Sequence, residues 1–256
     1  MKSLIAFWQK ELTEQLRTGK LLLLGILFVV FGVMNPAVAK LTPWLLETFA
    51  GTLEASGMTL TAVPVTALDS WAQFYKNIPM GLIAFLLIES GSFTKEYRAG
   101  TLVLMLTKGL ARWKVVAAKT ALSAMLWSAC YWLCFGITYG YTAYYWDQSV
   151  VRHLMLAAVL WWVFGLFAVA LTVLFSTLFR SETAVLGATG GVVLLCSLAG
   201  VLPQLKKALP TRLTEGTALI CGAADPKDYI LALLITAAAS VVCLAVSIPV
   251  FNKKAL

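Results

Sequence analysis

LMLAAVLWWVFGLFAVALTVLFSTL, residues 154–178, contains no charged side chain from end to end. At about 1.5 Å of rise per residue, a helix of this length crosses a hydrocarbon core of about 30 Å. Working outward, five more apolar runs occupy residues 21–39, 78–93, 120–141, 184–202 and 229–251, the second of them the shortest. Hydrophobic residues make up 60% of the chain and charged ones only 12%, about half the charged share of a soluble domain. Six spans and their loops use up 256 residues and leave no room for a separate soluble catalytic domain. The fold class expected is an all-α integral membrane protein, read as a single domain over residues 1–256.

The flanks of these runs set further expectations. Leu4, Ile5, Trp8, Leu12 and Leu16 recur at helical spacing, with Lys2, Gln9, Lys10, Glu14 and Arg17 on other faces. Residues 1–19 therefore read as a helix lying in the membrane interface, and Lys10 and Glu14 support each other one turn apart. The first span ends in Asn35-Pro36 with no small-residue cleavage site, so it reads as an uncleaved span that Pro36 kinks or ends. With the N-terminus inside, inside segments hold thirteen of the 20 Lys and Arg, while the seven outside are matched by seven acids. That asymmetry favours N-in, C-in topology. Two outside segments, 40–77 and 203–228, exceed simple connections. The stripes Trp44, Leu45, Leu46, Phe49, Leu53 and Leu68, Trp71, Ala72, Tyr75 read as short helices on the outer membrane face, while Pro203, Pro210, Gly216 and Gly222 divide the later segment. Trp71, Tyr75, Tyr144, Tyr145, Trp146 and Tyr229 read as an interfacial belt.

What is missing excludes several chemistries. One histidine, His153, cannot supply a paired-histidine metal site, and no metal site is expected. No GxxxxGK[ST] occurs, so the chain has no phosphate-cradling loop of the P-loop kind, and no GxSxG elbow marks a nucleophile. No catalytic residue is assigned and the chain is read as a non-enzyme. Four of the five cysteines lie in apolar runs as small apolar residues, and Cys221 falls in a loop. The net charge of +8 is scattered around apolar runs, which fits topology and lipid headgroups rather than nucleic acid.

Glu89 is the one acid within an expected span. A charge at the centre of a membrane helix costs about 2.5–3.5 kcal/mol on insertion scales, less near the ends. With Gly91, Thr94 and Lys95 following, Glu89 reads as a helix-end brace, the other reading being a place in an ion or substrate path. In the fifth span Gly187 and Gly191 form a GxxxG pair that admits a close helix, either within the chain or across a dimer.

Between the second and third spans lies a basic bridge longer than an inside turn needs. Glu96-Tyr97-Arg98-Ala99-Gly100-Thr101-Leu102, then Leu106-Thr107-Lys108-Gly109-Leu110-Ala111-Arg112, then Lys119, resembles the E-x-x-x-G-T-L…L…K-x-x-x-R…K segment of ABC-2 type transporter permeases. The interfacial helix, the six spans and the placement of the outside segments match that family along nearly the whole chain. The resemblance implies a permease subunit of an ATP-binding cassette transporter, usually an exporter, in the cell membrane of a bacterium. It implies a cytoplasmic ABC ATPase as partner, which holds ATP and Mg, and a second permease copy or paralogue. Region 94–114 would hold the coupling helix, with Glu96, Tyr97, Arg98, Gly100, Thr101, Leu102, Lys108 and Arg112 at the ATPase interface, and Gly187 and Gly191 at the dimer seam. The alternative is a secondary transporter or membrane assembly factor without an ATPase, which calls for more intramembrane charge than Glu89.

Overall fold

The computed structural model describes residues 2–54, 64–91, 94, 96, 100, 107 and 111–253, and among these every regular element is helical. The long helices are α1 (Lys2–Arg17), α2 (Lys20–Glu54), α3 (Ala67–Glu89), α4 (Arg112–Tyr145), α5 (Leu154–Leu178) and α6 (Glu182–Ala199). Two short helices follow, α7 (Pro203–Lys206) and α8 (Gly216–Ile220), and then α9 (Ile230–Lys253). Five stretches are long and apolar enough to cross a membrane, namely Lys20–Trp44, Arg112–Tyr145, Leu154–Leu178, Glu182–Ala199 and Pro226–Lys253. The protein is a multi-pass membrane protein. Of the two long helices that remain, α1 and α3, the second packs against α2 and α4 but carries Asp69, Lys76 and Asn77 in its first half.

Helix α5 is the centre of the bundle, buried on most of its surface and packed against α3, α4, α6 and α9. Trp127 of α4 enters this centre because Gly165 leaves room for it: a Cβ on Gly165 would lie 2.1 Å from Trp127 Cε2. The indole donates to Trp162 O at 3.1 Å. The outward faces of α2, α6 and α9 expose Leu22, Leu23, Leu194, Leu195, Leu234 and Val241, as expected where lipid or another helix covers a span.

Prolines do not end α2, so of the two readings of Asn35-Pro36, a kink or an end, the end is excluded. The helix runs through both Pro36 and Pro43. Pro36 lacks the amide that would bond Gly32 O four residues back, and Thr138 Oγ1 of α4 donates to that carbonyl instead, at 3.1 Å. Asn35 Nδ2 donates to the same hydroxyl at 3.1 Å, and Asn77 Nδ2 of α3 donates to Asn35 Oδ1 at 2.8 Å. Ser70 and Thr142 add a hydroxyl pair at 2.7 Å between α3 and α4. The polar groups of three helices thus satisfy one another within the bundle, the arrangement that lets a membrane helix keep a proline.

The outside segments also differ from expectation. Backbone from Lys40 to Glu54 continues α2, and the stripe Leu68, Trp71, Ala72, Tyr75 belongs to the first half of α3. Neither is a separate surface helix. Of the first stripe, the side chains of Leu45, Leu46, Phe49 and Leu53 lie outside the described residues. Trp71 and Tyr229 are fully buried and Tyr75 nearly so, which removes them from the interfacial belt. Trp71 Nε1 finds Gln148 Oε1 at 3.1 Å, the partner a buried indole needs. Residues 203–229 do break into short turns at Pro203, Pro210, Gly216 and Pro226. They form a cap over the end of the bundle opposite α1. Gly216 sits where a Cβ would be 2.4 Å from Tyr75 Cε1. Trp161 Nε1 donates to Thr214 O at 3.0 Å, Lys206 pairs with Glu215 at 2.7 Å, and Arg212 pairs with the same carboxylate.

Candidate functional site

Among the described residues, the most heavily charged interior lies where α1 meets α4 and Glu96 of the bridge. Gly19, at φ +70°, turns the chain between α1 and α2, which lays α1 across the end of the bundle. The face of α1 that packs inward is Phe7, Glu11 and Gln15, spaced one turn apart, while Leu16 is left exposed. The apolar stripe read from the sequence is therefore only part of the docking surface: Trp8 and Leu12 touch the core, and a polar row beside them enters it.

That row meets two complementary layers. In the first, Lys119 Nζ of α4 lies 2.7 Å from Glu11 and 3.0 Å from Glu96 of the bridge. Lys10 reaches the same two acids, Glu96 at 2.6 Å and Glu11 at 2.9 Å, and pairs with Glu14 at 2.9 Å. Lys119, Glu11 and Glu96 are 2%, 3% and 6% exposed. One turn further along α1 and α4, Gln15 Nε2 and Ser123 Oγ both donate to the Glu89 carboxylate at 3.0 Å. Each layer thus joins α1, the end of α3 or the bridge after it, and α4.

Sharing two lysines separates the two acids of the first layer. Burial alone would raise the Glu96 carboxyl, but Lys119 and Lys10 outweigh it and hold it below its ordinary value. For Glu11 burial prevails over Lys119 and Lys10, aided by the negative charge of Glu96, and its carboxyl is raised. Burial lowers the Lys10 ammonium, yet its bonds to Glu96, Glu14 and Glu11 leave it above its ordinary value. Glu11, Glu14 and Glu96 bring carboxylate oxygens within 4.8 Å of one another. The two ammonium groups among them already supply the counter-charge a metal would bring.

The residues expected at the site are distributed as follows. Glu96 is inside the protein, braced by two lysines, where an ATPase contact would need it on the surface. Arg112 begins α4 and donates to Phe251 O and Asn252 O, both at 2.9 Å, with its guanidinium over the Phe251 ring. It thereby binds carbonyls at the end of α9, where the helix dipole favours a cation. Gly100 is exposed at φ +66°, a left-handed position that favours glycine. Tyr97, Arg98, Thr101, Leu102 and Lys108 lie outside the described residues. Glu89 joins helices in the second layer. An added Cβ on Gly187 or Gly191 would meet nothing within 4 Å, so the GxxxG face is open rather than packed within the chain.

Glu11, Gln15 and Ser123 were not singled out from sequence, and Lys119 only as the last residue of a motif. The signal existed in part: a lysine at the edge of an apolar run requires an acid, and Glu11 lies four residues from both Phe7 and Gln15.

Comparison with known families agrees with this architecture. The family model described as ABC-2 family transporter protein matches residues 5–219, from α1 through the last turn of α8. The chain belongs to the ABC-2 family, whose members are transmembrane permeases of ABC transporters. No curated protein matches it.

Proposed function

We propose that this chain is the permease subunit of a bacterial ATP-binding cassette exporter, forming the translocation path in the cell membrane as one domain. In this reading α3 is the sixth span, both termini are cytoplasmic, and region 94–114 engages a separate ABC ATPase that binds ATP and Mg. The observation that carries it is the pair of layers joining α1, the bridge and α4, because a push on the bridge is then delivered to α4 through Glu96 and Lys119. The distribution of Lys and Arg supports the orientation. Glu96 acts within the chain in this scheme, leaving Arg98 and Lys108 as the charges offered to the partner, while Arg112 ties α4 to α9.

The open face at Gly187 and Gly191, on a helix that buries little beyond Val185 and Thr189, supports a seam with a second copy or a paralogous permease. Co-purification tests the reading. A tagged chain is expected to retain a P-loop ATPase, and Arg98→Glu with Lys108→Glu is expected to abolish its stimulation while α1 stays docked. A chain that retains no ATPase would instead be a secondary transporter where it transports alone and an assembly factor where it does not.

A further inference from the structure

Where α1 passes into α2, two cations are left without a partner. From Lys10 to Glu14 every charged side chain on α1 is engaged: Lys10 holds Glu11, Glu14 and Glu96, and Glu11 also holds Lys119. Arg17, exposed, and Lys20, half-buried, form no ion pair or side-chain hydrogen bond among the described residues. Gly19 turns the chain between them at φ +70°, with open space where a Cβ would stand.

Beside these cations α2 carries an apolar face. Leu22, Leu23, Ile26 and Val30 are each more than half exposed, as is Leu16 at the end of α1. Their spacing of about one turn lays Leu22, Ile26 and Val30 along one side of the first span, which opens at Lys20. A strip of leucine, isoleucine and valine at membrane depth thus ends in two unpaired cations at the start of the span.

The charges choose the occupant of that face. A second copy seated here by a two-fold axis presents the same patch to itself, which brings its Arg17 and Lys20 to the level of the first copy's. The acids that could separate them, Glu11 and Glu14, are already taken by Lys10 and Lys119. A zwitterionic headgroup carries a cation of its own. An anionic phospholipid brings a phosphate that a guanidinium grips with two parallel bonds and an ammonium meets as a point charge, together with acyl chains for the apolar strip.

We propose that the elbow of Arg17, Gly19 and Lys20 binds the headgroup of an anionic phospholipid whose acyl chains lie along the 22–30 face of α2. The bound lipid stiffens the elbow from which α1 reaches Glu96, Lys119 and Glu89, so the charge of the bilayer acts on both layers. The surface needs only the membrane-embedded chain, and its failure leaves the permease reading standing.

The test is thermal unfolding of the purified full chain in nanodiscs, followed by tryptophan fluorescence, with phosphatidylglycerol replacing phosphatidylcholine of the same acyl chains stepwise at constant ionic strength. Tm is expected to rise saturably with the phosphatidylglycerol fraction, as it does with a ligand of the folded state. Arg17→Gln and Lys20→Gln, both outside the packed core, are each expected to raise the half-saturating fraction about fivefold, and together to remove the response. Arg17→Lys with Lys20→Arg is expected to keep it. Equal Tm across the lipid series would overturn the proposal, and so would a response that survives both glutamines, which assigns it to other basic residues. A rise produced by glycerol phosphate in phosphatidylcholine discs would overturn it by making the elbow a site for free anions. Disulfide capture of Leu23→Cys by its own counterpart, absent from the parent chain, would overturn it by showing that a second copy covers the face.

Discussion

Replacing Lys119 with methionine is the sharpest probe of the charged layers. The side chain keeps its length and loses its charge, leaving Glu11 and Glu96 facing each other with only Lys10 between them. At separations of 2.7 and 3.0 Å and an effective dielectric constant of about 20, each attraction to Lys119 is about 6 kcal/mol before desolvation is subtracted. Removing one partner of a buried ion pair has a measured penalty of about 3–5 kcal/mol. Lys10 remains within 2.9 Å of both acids, so the low end, about 3 kcal/mol, is the expected loss. For a chain of this size that corresponds to an apparent Tm lower by about 6–12 °C at a fixed scan rate.

The double variant Lys119→Met, Glu11→Gln removes the uncompensated acid together with the base. It should recover about half of the loss, a coupling of the size that contacting residues show. Trypsin cleavage at Arg17 and Lys20 reports the same event locally, because these sites open when α1 undocks. If Lys119→Met leaves Tm and cleavage unchanged, or if the two substitutions simply add, Lys119 does not join α1 to the bridge and the transmission scheme built on it falls.

Thr138→Val should destabilise the chain by about 1–3 kcal/mol, since Gly32 O and Asn35 Nδ2 both lose their partner. Combining it with Pro36→Ala should recover part of that in Tm, because the new amide can bond Gly32 O. Gly165→Ala should lower Tm by an overpacking penalty of about 1–3 kcal/mol, with the buried Trp127 ring unable to yield, despite the better helix propensity of alanine. Docking of α1, followed by tryptic cleavage after a timed pH pulse, should be flat through the neutral range and fail at both extremes. The Glu96 carboxyl is held low, so its contribution is present above the ordinary carboxylate value and lost as pH falls through the depressed one. Lys10 is held high, so its contribution is present below the ordinary ammonium value and lost as pH rises beyond it. Glu11, with its carboxyl raised, takes up its proton before Glu96 does, so mild acid should leave α1 docked. A profile breaking near neutrality would contradict these signs.

Five of the six apolar runs and the helical period of residues 2–17 were legible because period and length alone define them. Helix α5 matches its expected bounds to the residue. Other boundaries were hidden where a tertiary partner decides them. Pro36 reads as a kink or a stop because its missing amide is visible in sequence, whereas the hydroxyl of Thr138 that replaces it comes from 102 positions along the chain. Trp71 and Tyr75 read as interfacial aromatics because a polar handle on an apolar body suits either place, and only the Gln148 carbonyl and the close approach of Gly216 show that they are core. At the bridge, the charges of Glu96 and Arg112 were legible but their direction was not. An acid in a basic segment looks like a surface contact until the helix carrying Lys119 is placed beneath it.

Joining α1 through ions rather than apolar contacts has a consequence for how motion passes. Leucine against leucine tolerates a slip of one residue with little change in buried area, so an apolar seam would let the bridge slide over α4. Glu11 and Gln15 stand one turn apart, and so do Lys119 and Ser123, so each α1 rung meets its own α4 rung. A shift of one residue would bring Glu11 out of line with Lys119 and take Gln15 from Glu89. Each misplaced group would be a buried charge or amide without a partner, a heavier penalty than an imperfect apolar fit. The layers therefore resist sliding and hold α1, Glu96 and α4 in one register, the register that the proposed coupling through the bridge requires.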